Sequence, residues 1–165
     1  MPRCLPSLGL VVVAGLVAGA CLASPATPGP ITPGTPDAPR PVTVIMRDYL
    51  FEPIPLRLVR GETVRFTIVN AGLLSHDFVL GDATVQSAWA SAEAAATPPG
   101  FLATPPPASV PPGTGGLRIW LTSGQTATAT YTVPAAGDLE LICQVPGHAA
   151  QGMVGVVTFV EPSPP

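Results

Sequence analysis

Three side chains able to hold a soft or borderline metal fall within one short stretch, Cys143-Gln-Val-Pro-Gly-His148-Ala-Ala-Gln-Gly-Met153. The 165-residue chain has only two histidines, and the other, His76, lies far upstream. A thiolate, two imidazoles and a thioether suit copper, and two His and one Cys with a distant Met describe a blue-copper electron-transfer site. Zinc competes, because two His, a Cys and an open position also form a zinc set. Against zinc, Met is a poor partner and the loop offers no carboxylate or third His. Taken singly, each residue has a plain structural use: a satisfied loop histidine, a small buried hydrophobe, a core-filling methionine. Taken together, in a chain so poor in these types, Cys143, His148, Met153 and His76 read as one metal site.

Such a site needs rigid elements, and period-two patterning supplies them. Val42, Val44 and Met46 alternate with Thr43, Ile45 and Arg47; Val64, Phe66 and Ile68 alternate with Arg65, Thr67 and Val69. His76, Phe78 and Leu80 share one face, with Asp77 and Val79 on the other. Thr126, Thr128, Thr130 and Thr132 oppose Ala127, Ala129, Tyr131 and Val133. Leu139, Leu141 and Cys143 oppose Asp138 and Glu140, which read as a solvated edge. The run 153–160 is apolar on both faces and is expected to be a central strand. Seven or eight short strands separated by Gly, Pro and Asn predict an all-β Greek-key sandwich.

An insertion over 81–117 interrupts it. Asp82 is placed to cap an Ala-rich helix over 83–96, followed by a Pro-rich loop over 97–116. The remaining sandwich is small, about 85 residues, and a staple would help it. No disulfide is available, so a metal is the candidate. By strand phase, Cys143 and His76 point inward at strand ends. Pro146-Gly147 turns His148 back toward Cys143, and Met153 opens the last strand. All four are expected at one end of the sandwich.

The domain is expected to span 42–161, with a short tail over 162–165. Residues 1–23 carry Arg3 and an apolar run from Leu8 to Ala23. That run fits a secretory signal and is short for a membrane span. Ala18-Gly19-Ala20-Cys21 fits a cleavage site and also a lipoprotein signal with Cys21 acylated. Plain secretion, a retained anchor and lipid at Cys21 all place the domain outside the cytoplasm, in the periplasm or on the outer membrane face. Residues 24–41 are a Pro/Thr/Gly linker, expected to act as an extended spacer. With 10 acidic residues against 7 basic ones, net charge −3 and no Lys, the chain lacks the clustered cations that nucleic acid or an anionic membrane requires. Membrane contact is therefore expected only through the N-terminus.

These residues resemble the cupredoxins, the small blue copper proteins, over about 42–161. The Cys-x4-His-x4-Met spacing with Pro-Gly before the His is most similar to auracyanin and sulfocyanin. The segment Asn70-Ala-Gly-Leu-Leu-Ser-His76-Asp-Phe resembles the one that brings the first His ligand. The resemblance implies one type 1 copper, with His76, Cys143 and His148 as equatorial ligands and Met153 as the weak axial one. It implies a one-electron carrier, with His148 near the surface as the electron port. Pro146, Gly147, Ala149 and Ala150 would form an uncharged rim for brief docking of redox proteins. The family often has Asn after the first His. Here Asp77 stands, expected either to accept a backbone N–H from the Cys143 loop or to lie exposed on its strand. Two His are too few for the catalytic coppers of the enzymes that share this fold, so no catalysis is expected. The alternative function is copper handling in the cell envelope: storage, delivery or sensing.

Overall fold

The computed structural model describes residues 29–96 and 108–163. The expected signal, the first part of the linker and most of the Pro-rich loop lie outside these residues. The alternating segments form strands β1 (Arg40–Arg47), β2 (Leu50–Glu52), β3 (Leu56–Leu58), β4 (Thr63–Asn70), β5 (His76–Gly81), β6 (Leu117–Leu121), β7 (Thr126–Thr132), β8 (Glu140–Ile142), β9 (Val154–Gly155) and β10 (Val157–Phe159). Helix α1 (Ala83–Ala96) follows β5. The strands make a sheet ordered β2-β1-β4-β7, a second ordered β6-β5-β8-β9, and a β10-β3 pair. β1 and β4 run parallel, and β4 and β7 antiparallel.

The two larger sheets close on a shared apolar layer, as expected of a β-sandwich. Val44, Met46, Phe66 and Ile68 face Phe78, Leu80, Leu141 and Cys143 across it, all buried. Phe66 meets Phe78 at 5.3 Å between ring centres. Burial of these side chains is the main drive for the fold, about 1.5–3 kcal/mol for each large aliphatic or aromatic group.

The helix forms where Ala-rich sequence meets a cap. The Asp82 carboxylate accepts the Val85 N–H at 2.9 Å. Helix α1 covers the outer face of β5, so all six residues of that strand are buried rather than alternate ones. Gln86 ties the helix down, donating to the carbonyls of Val79 and Glu140 at 3.0 and 2.9 Å.

Two expectations are corrected. The run 153–160 is not one central strand. β9 sits at the edge of the second sheet, and at Val156 the chain crosses to pair with β3. Continuous apolarity here reflects a strand that changes sheets, meeting a different neighbour on each side of Val156. The linker is also not a free spacer where it is described. Ser163 donates to the Ile31 carbonyl at 2.8 Å and Thr63 to that of Gly34 at 2.9 Å. β1 starts at Arg40, two residues before the expected boundary. There Arg40 forks onto the fully buried Glu62 carboxylate at 2.6 and 2.7 Å. Composition reported the prolines but not this ion pair, whose partners are 22 residues apart.

Candidate metal centre

Register brings the first two donors together. β5 begins at His76, and β8, its antiparallel neighbour, ends one residue before Cys143. Both side chains therefore emerge at the same end of the second sheet, on its inner face. The third arrives by a closed loop. Cys143 donates its N–H to the Met153 carbonyl at 3.1 Å, and Met153 donates to the His148 carbonyl at 3.0 Å. A single 3-10 turn, Ala149–Gln151, fills the loop and ends at Gly152, whose φ of 101° few other residues adopt without strain. His148 is thereby folded back over Cys143.

Donor atoms of His76, Cys143 and His148 all lie within 4.8 Å of one another. The Nδ1 atoms of the two histidines are 3.1 Å apart, and Cys143 Sγ is 3.4 Å from His148 Nδ1. His76 and Cys143 are fully buried and His148 is 9 % exposed. Met153 is fully buried, with its backbone bonded to both Cys143 and His148. The sequence placed all four of these residues at one end of the sandwich, and the fold does bring them there. His148 comes less far out than expected: the residue is buried, 9 % exposed, between exposed Pro146, Gly147, Ala149 and Ala150.

Burial sets the protonation of these groups. It pushes the Cys143 thiol up to about 12, against the opposing pull of the Asp77 and Val145 N–H groups. Burial, and then the neighbouring His76, push His148 down to about 4. A neutral imidazole and a protonated thiol in a dry cleft are poised to trade the thiol proton for a metal ion. The donor set, two ring nitrogens and one sulfur converging without a carboxylate among them, fits a soft-to-borderline ion such as copper.

A second layer holds the donors, and most of it escaped the sequence reading. The Asp48 carboxylate lies 2.8 Å from His76 Nε2 and accepts the Leu73 and Leu74 N–H groups at 3.0 to 3.2 Å. Partial burial disfavours its charge. The Leu73 N–H, the His76 ring and the Leu74 N–H outweigh that and hold the carboxyl below its ordinary range. Tyr49 stands edge-on to His148, 5.0 Å between ring centres. Buried Asn70 donates to the Leu74 and Leu121 carbonyls at 2.8 and 2.9 Å and accepts the Gly72 N–H at 3.0 Å, which shapes the loop feeding His76. No local periodicity marks Asp48 or Tyr49, which sit in a turn far from His76 in sequence.

Asp77 fits neither expectation set for it. Its side chain is fully buried and pairs with Arg118 at 2.9 Å, and Arg118 also contacts the buried Glu93 of α1. Burial pushes the Asp77 carboxyl up to about 8, with Arg118 pulling against it and Glu93 adding to it. Its backbone N–H, not its carboxylate, meets the ligand loop, donating to Cys143 Sγ at 3.3 Å. The helix inserted over β5 supplies the burial that strand phase alone could not reveal.

No family model matches the chain. It is 31 % identical over 182 aligned positions to the copper-resistant cuproprotein CopI of Pseudomonas aeruginosa, covering 98 % of this chain and 99 % of that one. It is 38 % identical over 121 residues to the CopI of Rubrivivax gelatinosus, covering 73 % of this chain and 66 % of the relative. Among solved structures it resembles auracyanin B, with a TM-score of 0.57 and 26 % identity over 79 % of this chain and 99 % of that one. The chain belongs to the cupredoxins, and within them to the family of the copper-resistant cuproprotein CopI. The cofactor this class and this donor set define is copper.

Proposed function

We propose that the protein is a type 1 blue copper protein acting as a one-electron carrier outside the cytoplasm. In this reading His76, Cys143 and His148 would hold one copper, and buried Met153 would offer its thioether as a weak further ligand. The observation that carries it is the convergence of two Nδ1 atoms and one buried sulfur at the end of a rigid sandwich. Copper supplies a one-electron couple there, and the thiolate keeps the site soft. The residues of this chain do the rest. The sandwich fixes the donors, burial excludes water, and His148, flanked by exposed Pro146, Gly147, Ala149 and Ala150, gives a short route to a docked protein. Small uncharged residues around His148 suit brief contact with a redox partner. The apolar run from Leu8 to Ala23 supports export, by secretion, a retained anchor or lipid at Cys21.

A second reading, copper handling, is favoured by the names of the two relatives above, which describe them as copper-resistant. One thiolate and one thioether in a closed loop favour retention of the metal over its release.

A copper(II) titration read by visible absorption and EPR, beside Cys143→Ser, tests the site. An intense thiolate-to-copper band at one equivalent, absent from the variant and reversibly bleached by ascorbate, is expected. A colourless complex, or several equivalents without that band, overturns the blue-copper reading. Fast loss of the bound metal to a mild chelator would move the function to copper handling.

A further inference from the structure

We propose that Asp48 is a positioning residue for the metal centre: its carboxylate takes the Nε2 proton of His76, fixes the ring, and leaves Nδ1 as the lone pair aimed at the site. The proposal rests on the copper reading for its effect on the metal, and on geometry alone for its effect on the ring.

The geometry is specific. Asp48 sits in the turn between β1 and β2, and His76 opens β5 in the other sheet. The carboxylate reaches across, 2.8 Å from His76 Nε2. Its two oxygens also accept both N–H groups of the Leu73-Leu74 step. A carboxylate engaged by two backbone donors is an acceptor, so the ring nitrogen facing it is the donor. Nε2 then carries the proton, and Nδ1, 3.1 Å from His148 Nδ1, carries the lone pair. Outer partners of this kind orient a ligating histidine and raise its basicity, and their loss typically costs 10–100-fold in metal affinity.

Gly72 supports the same reading independently. A Cβ at that position would lie 2.5 Å from Asp48 Oδ1 and 2.9 Å from His76 Nε2. The backbone lies directly over the carboxylate–imidazole contact and leaves room for nothing larger. Asn70 and Ser123 hold it there, through the Gly72 N–H at 3.0 Å and its carbonyl at 2.6 Å.

The test has two arms, one without metal. In metal-free protein, nitrogen-15 NMR of the histidine rings should show the His76 proton on Nε2, downfield and slow to exchange. In Asp48→Ala that resonance should broaden into exchange with water, while the backbone spectrum keeps its dispersion. A proton on Nδ1, or an Nε2 proton equally protected in Asp48→Ala, overturns the proposal. In copper-loaded protein, Asp48→Asn keeps the shape and removes the charge. It should keep the thiolate band, raise the reduction potential, and lower copper(II) affinity by about ten-fold or more. An unchanged potential with an intact band also overturns it. If wild-type protein gives no thiolate band, the copper reading falls, and the ring-proton arm alone decides the role of Asp48.

Discussion

The backbone N–H of Asp77 points at the sulfur of Cys143, 3.3 Å away, while the side chain of the same residue is buried against Arg118 on the opposite face of β5. One strand residue thus joins the metal donors inside the sandwich to a charged cluster beneath α1. The inserted helix acts as a wall behind the site. Glu93 of α1 completes that cluster, and Gln86 accepts a hydrogen bond from Gln144, the residue after Cys143, at 2.7 Å.

Removing Arg118 should test this wall. Arg118→Met leaves the buried Asp77 and Glu93 carboxylates without their shared cation, and a loss of about 3 kcal/mol in unfolding free energy is expected. Without Arg118, the Asp77 carboxyl, already raised to about 8 by burial, loses the cation that pulls it down, so the folded state holds that proton to higher pH than the unfolded one and the loss grows as pH rises. Denaturant midpoints at pH 6 and pH 8 check this. A variant equally stable at both, or as stable as wild type, contradicts the account.

Metal uptake should release a proton. Burial holds the Cys143 thiol protonated to about 12, so at pH 7 copper(II) must displace it. Calorimetric titration in two buffers of different ionisation heat should give about one proton per copper. Cys143→Ser should release none by this route.

Acid should weaken the metal-free protein partly through His148. Its folded pKa of about 4 lies below its ordinary value of 6.5. Between those values the unfolded chain binds the extra proton, so the contribution of His148 is complete above about pH 6.5 and is lost as pH falls toward 4. The difference in stability between wild type and His148→Asn should therefore shift against wild type between pH 7 and pH 4.5. A constant difference over that range removes the idea.

The buried pair Arg40–Glu62 predicts a stability effect separate from the metal. The Glu62 carboxylate takes two guanidinium N–H groups of Arg40 and the Val59 N–H at 2.8 Å. Glu62→Ala leaves the partly buried Arg40 unpaired, so a cost of about 3 kcal/mol is expected. It should also expose 29–39 to limited proteolysis, with the thiolate-to-copper band of the folded fraction unchanged. Unaltered proteolysis would show that this pair does not hold the segment down.

The candidate donors themselves were legible in the sequence. Cys143, His148 and Met153 share one loop, and period-two patterning fixes which face a strand residue takes, so His76 and Cys143 could be placed inward before any fold was known. The cap at Asp82 and the helix after it are local as well, set by residues three or four apart. The long-range contacts were not legible: the reach of Asp48 to His76, the cover that α1 lays over Asp77, the pairing of Arg40 with Glu62, and the switch of sheets at Val156. Each depends on segments brought together only by the sandwich, and neither spacing nor composition encodes which distant carboxylate meets which ring or guanidinium. Local spacing and strand period were enough to single out the candidate donors and the face on which they lie. The tertiary structure alone decided what stands behind them, because those neighbours are chosen by packing across sheets and not by the period of a strand.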